Sequence, residues 1–233
     1  MDQAPPDSRH ARLHAIGLRF AYPGGGFSLR LPELTLAAGE TLLLAGPSGA
    51  GKTTLLRLLC GLLAPQSGSL IAAGGVPLHE LSPAALRAWR LRHAGLIFQD
   101  FALLDYLTAE ENILLPLQFL EPIDGSESAP PRDRLAEFAA ALDLSVHLRR
   151  TVRELSQGER QRVAILRALI TSPGILFADE PTASLDRKRR DQAMNLLQSH
   201  ASQTGASLVL VSHDPELMAD VPRHLNLEDL HTS

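Results

Sequence analysis

The stretch Gly46-Pro47-Ser48-Gly49-Ala50-Gly51-Lys52-Thr53, which fits G-x-x-x-x-G-K-[ST], constrains this chain more than any other feature. It follows the apolar run Thr41 to Ala45 and precedes a leucine-rich helical segment from about Lys52 to Leu63. Strand, glycine loop and helix in that order are the context that gives such a motif its meaning. Glycines let the backbone N–H groups of the loop converge on phosphate oxygens, and the helix N-terminus adds a positive dipole. Lys52 is placed to reach the outer phosphates, the Thr53 hydroxyl to hold Mg²⁺, and Thr54 extends the cradle. With glycine near 7% of residues, a chance match in a chain this long is on the order of one in a hundred.

The same strand-and-helix logic extends downstream. Ile175 to Ala178 and Leu208 to Val211 are continuous apolar runs, and Leu96 to Phe98 reads as a short strand. Runs of this kind separated by helices imply a parallel sheet covered on both faces, an α/β core. The N-terminal part differs. Ile16, Leu18 and Phe20 alternate, as do Phe27, Leu29 and Leu31, across Gly24-Gly25-Gly26, which predicts a β-hairpin.

From Ser82 to about Leu169 helical signals dominate. Ser82-Pro83 is an N-cap with proline at the first helical position. Thr108 and Glu111 are spaced as a capping box. Leu135, Phe138, Ala139 and Leu142 fall on one face of a helix. Gly125 to Pro131 is polar and Pro-containing, a loop. Residues 11–233 therefore read as a single domain with a helical insertion over about 100–165, and residues 1–10 as a disordered N-terminus.

Composition excludes several classes. The net charge of −4 argues against sequence-independent nucleic-acid binding. The run Arg187-Lys188-Arg189-Arg190 continues into a polar helical stretch and reads as a solvated face. Cys60, the one cysteine, lies among leucines as a small core hydrophobe, which suits a reducing cytosol. His10 and His14 have helical i, i+4 spacing but no carboxylate or cysteine partner nearby for zinc. Met1 to Arg9 contain no apolar segment of signal-peptide type, and no run approaches the roughly 18 apolar residues of a membrane span. A cytoplasmic protein without direct membrane insertion is expected.

Ile175-Leu176-Phe177-Ala178 ends in Asp179-Glu180. Strand alternation points successive side chains to opposite sides, so the two carboxylates are expected to do different work. Asp179 engages the Mg²⁺ shell, and Glu180 orients or deprotonates the attacking water. GTPases and nucleotide kinases share the phosphate loop, but no Asn-Lys-x-Asp base-reading sequence occurs in the chain.

Leu155-Ser156-Gln157-Gly158-Glu159 precedes an amphipathic helix carrying Val163, Leu166 and Ile170. By spacing alone Ser156 and Glu159 form a capping box. Together with the loop upstream and Ala178-Asp179-Glu180-Pro181-Thr182 downstream, however, Leu155 to Arg162 resembles the signature of the ABC ATPase family. Ala183-Ser184-Leu185-Asp186 is similar to that family's D-loop, Gln99 to its Q-loop, and His213 in Ser212-His213-Asp214 to its switch histidine. Tyr22 matches the aromatic that stacks on adenine. Each has a plain alternative: Tyr22 as a strand-end aromatic, Gln99 as a strand-end polar group, His213 as a residue before a helix.

The resemblance covers nearly the whole chain and implies a P-loop NTPase (RecA-like) core, an N-terminal antiparallel β subdomain and an inserted α-helical subdomain. It implies a homodimer in which each ATP lies between one subunit's phosphate loop and the other's Ser156 and Gly158, with Asp186 at the dimer contact. Mg²⁺ is then held by Thr53, Gln99 and, through water, Asp179, while Gln99 and His213 sense the γ-phosphate beside Glu180. Two positions depart from the common pattern: Gln157 where glycine is frequent and Glu159 where glutamine is. Glu159 is expected to turn back onto the Ser156 N–H, away from the triphosphate.

The stretch Gln99 to Leu104 with Leu107 to Asn112 is similar to the LolD/MacB/FtsE group. That group implies transmembrane permease partners, a translocase role in export or lipoprotein extraction, and a place on the cytoplasmic face of the inner membrane. FtsE-like signalling without transport is the alternative, and a soluble ABC ATPase a more distant one. Phe101, Leu103, Leu104 and Leu107 either form a groove for the permease or belong to the subdomain's own core.

Overall fold

The computed structural model describes residues 11–120 and 131–230. The expected disorder of residues 1–10, the residue His10 and most of the Gly125–Pro131 loop lie outside the described residues. In chain order the elements are β1 (Ala11–Ala21), β2 (Ser28–Ala37), β3 (Thr41–Ala45), α1 (Lys52–Leu59), β4 (Ser67–Ala72) and β5 (Val76–Pro77). Next come α2 (Pro83–His93), β6 (Ala94–Ile97), α3 (Ala109–Leu114), α4 (Pro131–Ala141) and α5 (Gln157–Leu169). The chain continues with β7 (Ile175–Asp179), α6 (Arg187–Thr204), β8 (Ser207–Val211), α7 (Pro215–Asp220) and β9 (Arg223–Asn226).

Two sheets result. The first is antiparallel with order β2-β1-β4-β5, and the predicted hairpin is its β1–β2 pair, with Leu18 opposite Leu31. Its strands alternate buried and exposed residues, as a sheet with one wet face requires. The second is parallel with order β6-β7-β8-β3-β9. Here β7 and β8 are buried at every position, which is why their sequences read as unbroken apolar runs. Because β3 pairs with β8 and β8 with β7, segments more than a hundred residues apart end at one edge.

One buried cluster joins the first sheet to α1 and one face of the second, and includes Cys60 as expected. Burial drives that thiol's pKa up to about 12, so it is inert. The other cluster joins α3, α4, α5 and α6 to the opposite face, and holds Leu135, Phe138, Ala139 and Leu142. The caps at Ser82 and Thr108 form as their spacing predicts.

Three boundaries differ from expectation. Helix α1 stops at Leu59, short of Leu63. The Leu62 N–H bonds the Arg57 carbonyl and the Gly61 N–H bonds the Leu58 carbonyl, a Schellman turn built on Gly61. Strand β6 runs Ala94–Ile97, so Phe98 lies just past it. His14 stands on β1, not on a helix, and its ring meets Glu33 at 3.1 Å. No cluster of His, Cys, Asp or Glu suited to holding a metal by itself occurs among the described residues.

Candidate functional site

The C-terminal ends of β3, β6, β7 and β8 open onto one cavity of about 760 Å³. Its walls include Tyr22 and Phe27 from the first sheet; Ser48, Gly49, Gly51, Lys52, Thr53 and Thr54 from the loop and α1; and Gln99, Asp179, Glu180 and His213 from the strand ends. In open α/β sheets this is the edge where ligands bind. Gly46, Pro47 and Ala50 belong to the loop but do not line the cavity.

The loop is shaped by glycine. Gly51 sits at φ 89 as the N-cap of α1, and no side chain caps that helix end. A Cβ there would stand 2.3 Å from the Phe27 ring, so the close approach of ring and loop requires glycine as well. Lys52 is buried and its Nζ donates to the carbonyls of Gly46 at 2.7 Å and Pro47 at 2.8 Å. Burial lowers its pKa, while the Glu180 and Asp179 carboxylates act to raise it. Tyr22 donates or accepts a 3.2 Å hydrogen bond with the Thr54 hydroxyl and packs edge-on against Phe20.

The two carboxylates do not follow simple alternation. Asp179 is the last residue of β7 and 3% exposed. Glu180 has left the strand at φ 50, a conformation L-residues seldom adopt. That turn sends its carboxylate into the same cavity as Asp179 rather than to the far side of the sheet. Its Oε1 is buried without a hydrogen bond and lies 3.6 Å from His213 Nε2. Burial raises the Glu180 pKa, assisted by Asp179, and His213 and Lys52 oppose it. Burial thus gives this carboxylate a higher affinity for a proton than an exposed glutamate has.

Ser156, Gly158 and Asp186 are not in this cavity. Ser156 caps α5, and Glu159 turns back as expected: its Oε2 accepts from the Ser156 N–H at 2.7 Å and from the Ser156 hydroxyl at 2.8 Å. His147, which sequence reasoning did not single out, holds the other oxygen of Glu159 at 3.3 Å. The Gly158 position packs beneath the chain's own Ser184 carbonyl, which a Cβ would approach to 3.1 Å. Asp186 caps α6 through the Arg189 N–H and pairs with the Arg189 side chain. The predicted basic face is partly engaged, since Arg190 pairs with Asp214 beside His213.

Near Gln99 the chain makes a tight bend. Phe101 at φ 60 and Ala102 at φ 45 present their carbonyls to Arg167. Leu103 packs into the second core, whereas Leu104 and Tyr106 are exposed. Buried Asn112 organises this segment by bonding the Leu104 N–H and the Leu104 and Thr108 carbonyls. His147 carried no motif signal, and Phe27 and Asn112 signalled only a hairpin strand and a subgroup stretch, because their roles arise from contacts between distant elements.

With this geometry in view, comparison with known proteins is informative. The family model described as "ABC transporter" matches residues 29–183. The Escherichia coli K12 protein named uncharacterized ABC transporter ATP-binding protein YbbA is 40% identical over 195 residues, 84% of this chain and 83% of that protein. The lipoprotein-releasing system ATP-binding protein LolD of Geobacter metallireducens is 41% identical over 197 residues, 84% of this chain and 85% of its own. Among solved structures, the ATP-binding cassette MJ0796, in a dimeric post-hydrolysis state bound to ADP and Pi, superposes with a TM-score of 0.80 at 32% identity. That likeness covers 92% of this chain and 93% of the other.

Proposed function

The chain belongs to the ABC transporter family, and from that premise we propose that it is a Mg²⁺-dependent ATPase that pairs with a second copy of itself and drives a separate membrane permease. The observation that carries this reading is the single cavity in which the glycine loop, Lys52, Asp179, Glu180, Gln99 and His213 meet.

ATP lies in the cavity with its adenine on Tyr22 and its phosphates against the loop N–H groups and the uncapped start of α1. Lys52 exchanges the Gly46 and Pro47 carbonyls for the outer phosphates. Thr53, Gln99 and Asp179 place hard oxygen donors on one wall, a set that fits Mg²⁺ completed by phosphate and water. When bound, that ion neutralises charge on the β- and γ-phosphates. Glu180 holds the attacking water and takes its proton, and His213 and Gln99 line the position of the γ-phosphate. The Ser156 end of α5 and Gly158 meet the nucleotide of the second copy. Glu159 then yields the Ser156 hydroxyl, and the His147 side chain keeps its charge turned away from the phosphates. The MJ0796 cassette, solved as a dimer with ADP and Pi, supports this arrangement.

No helix of the described residues is long and apolar enough to cross a membrane. In this reading coupling runs through a separate membrane partner, with the chain on the cytoplasmic face of the inner membrane. A second cavity of about 320 Å³ is lined by Leu91, Leu96, Phe98, Ala102, Pro116 and Arg167 among others. A permease segment seated there touches the chain leading into Gln99. LolD's name makes it the ATP-binding component of a lipoprotein-releasing system, which supports a comparable division of labour.

Glu180→Gln tests the central assignment. The variant is expected to bind ATP and remain paired with its twin while turnover falls by roughly a hundredfold or more. Hydrolysis near the wild-type rate would remove Glu180 from the mechanism. Capture of membrane proteins by the ATP-bound variant tests the permease; nucleic acid or ribosomes in their place contradict it.

A further inference from the structure

Helix α5, which begins at the Ser156 cap, also carries Gln161, a polar residue only 1% exposed. Its amide is used at both atoms. Nε2 donates to the Glu180 carbonyl at 2.9 Å, and Oε1 accepts from the Ser184 N–H at 2.8 Å. The reverse amide orientation would set donor against donor and acceptor against acceptor, so the network itself dictates the assignment.

What Gln161 holds is unusual. Glu180 is a side-chain-bearing residue at φ 50, and such a conformation persists only where surroundings over-determine it. The Glu180 N–H is fixed by the Val211 carbonyl of β8 at 3.0 Å, and the Glu180 carbonyl by Gln161. The Ala183 N–H also reaches that carbonyl, at 3.3 Å, so the Glu180 peptide that aims the carboxylate is held by three hydrogen bonds, one of them from α5. Ser184, the other partner of Gln161, belongs to the segment that leads to the Asp186 cap. One turn before Gln161, Gly158 presses against the same Ser184 through its carbonyl. The first turns of α5 thus grip both the peptide of Glu180 and the loop behind it.

We propose that Gln161 is a positioning residue that ties the Ser156 end of α5 to the hydrolytic carboxylate of the same subunit. In the paired assembly, Ser156 and Gly158 meet the second copy's nucleotide while Glu180 serves this copy's own. Gln161 is then the rigid link by which occupancy of one ATP site is felt at the other. A displacement of α5 toward the facing nucleotide pulls on the Glu180 carbonyl and re-aims its side chain. The inference rests on the reading of the site given above.

The test uses the full-length chain. Gln161→Met is close in length and volume and deletes both hydrogen bonds; Gln161→Glu keeps an acceptor for the Ser184 N–H and loses the donor to Glu180. Both lose some melting temperature, because buried partners are left without hydrogen bonds, yet are expected to fold and keep an ATP affinity within about twofold of wild type, with kcat reduced about tenfold and KM nearly unchanged. A general packing role would not produce that split. The sharper readout is a double-mutant cycle with Glu180→Gln. Adding Gln161→Met to Glu180→Gln is expected to leave the residual turnover unchanged, because the carboxylate being aimed is already gone. An undiminished kcat in Gln161→Met, or the same fractional loss in both backgrounds, overturns the proposal. If Gln161→Met does not fold, Gln161→Glu decides on the same measurements. Normal turnover by Glu180→Gln alone would overturn the underlying site assignment instead, so the two failures are told apart.

Discussion

Helices α1 and α5 both begin at a glycine-containing segment proposed to meet phosphate, yet their first turns are finished differently. The start of α1 has no side-chain cap, its Gly51 N-cap is pinned at φ 89 beneath Phe27, and it opens onto the cavity. The start of α5 is closed by its own residues. Ser156 and Glu159 satisfy each other's hydrogen bonds, and His147 secures Glu159. An uncapped helix end leaves unsatisfied N–H donors ready for an anion. A closed capping box stabilises the free subunit and must be rearranged before the Ser156 hydroxyl can serve a ligand. On the proposed function, the contrast separates a binding surface that one chain completes alone from one that waits for a second chain.

The largest expected effect falls on the open side. Lys52→Ala should weaken ATP binding by roughly two orders of magnitude, the scale of losing a charged partner to phosphate. Isothermal titration with a non-hydrolysable analogue measures it; affinity close to wild type would break the assignment of the open end. On the closed side, Ser156→Ala should leave ATP binding by the single chain intact and suppress turnover. Mixing it with Lys52→Ala subunits should restore part of the activity, because one composite site in the mixed pair is then undamaged. If the mixture is as inactive as its components, the two helix ends do not belong to sites shared between copies.

The smallest effect concerns the cap itself. Burial acts to raise the Glu159 pKa, but the Ser156 N–H and hydroxyl, with His147 and Arg150, outweigh it and leave the carboxyl below its ordinary range. A lowered carboxyl pKa adds stability above the unfolded value, near pH 4, and that stability is lost as pH falls through the lowered folded value. Glu159→Gln should therefore cost slight stability at neutral pH and show a shallower loss in acid, followed by thermal melting against pH. Its ATPase rate should stay within about threefold of wild type. A many-fold gain would show instead that the carboxylate repels the nucleotide in the paired state.

Some of this organisation was legible residue by residue. The phosphate loop, the hairpin, the buried strands, and the caps at Ser82, Thr108 and Ser156 all form where their spacing predicts. Other parts were not. Strand β9 reads Arg-His-Leu-Asn, with Leu225 its one apolar residue and no pattern to mark it, and exists because β3 offers it an edge. Alternation misdirected Glu180, since a residue that leaves its strand no longer obeys period two. Gln161 falls within the Leu155–Arg162 signature stretch without a role of its own there, and its burial between two loops is visible only in three dimensions.

The sequence alone determined much of what acts over about four residues: the glycine loop, the capped helix starts at Ser82, Thr108 and Ser156, and which strands are buried on both faces. Those features follow from local hydrogen bonding and from side-chain periodicity, and neighbours along the chain specify both. The tertiary structure decided which strand ends share an edge, where the Glu180 carboxylate points, and which buried amide anchors it. Such outcomes depend on pairing between segments as distant as Leu43 and Leu210, and no local pattern encodes that geometry.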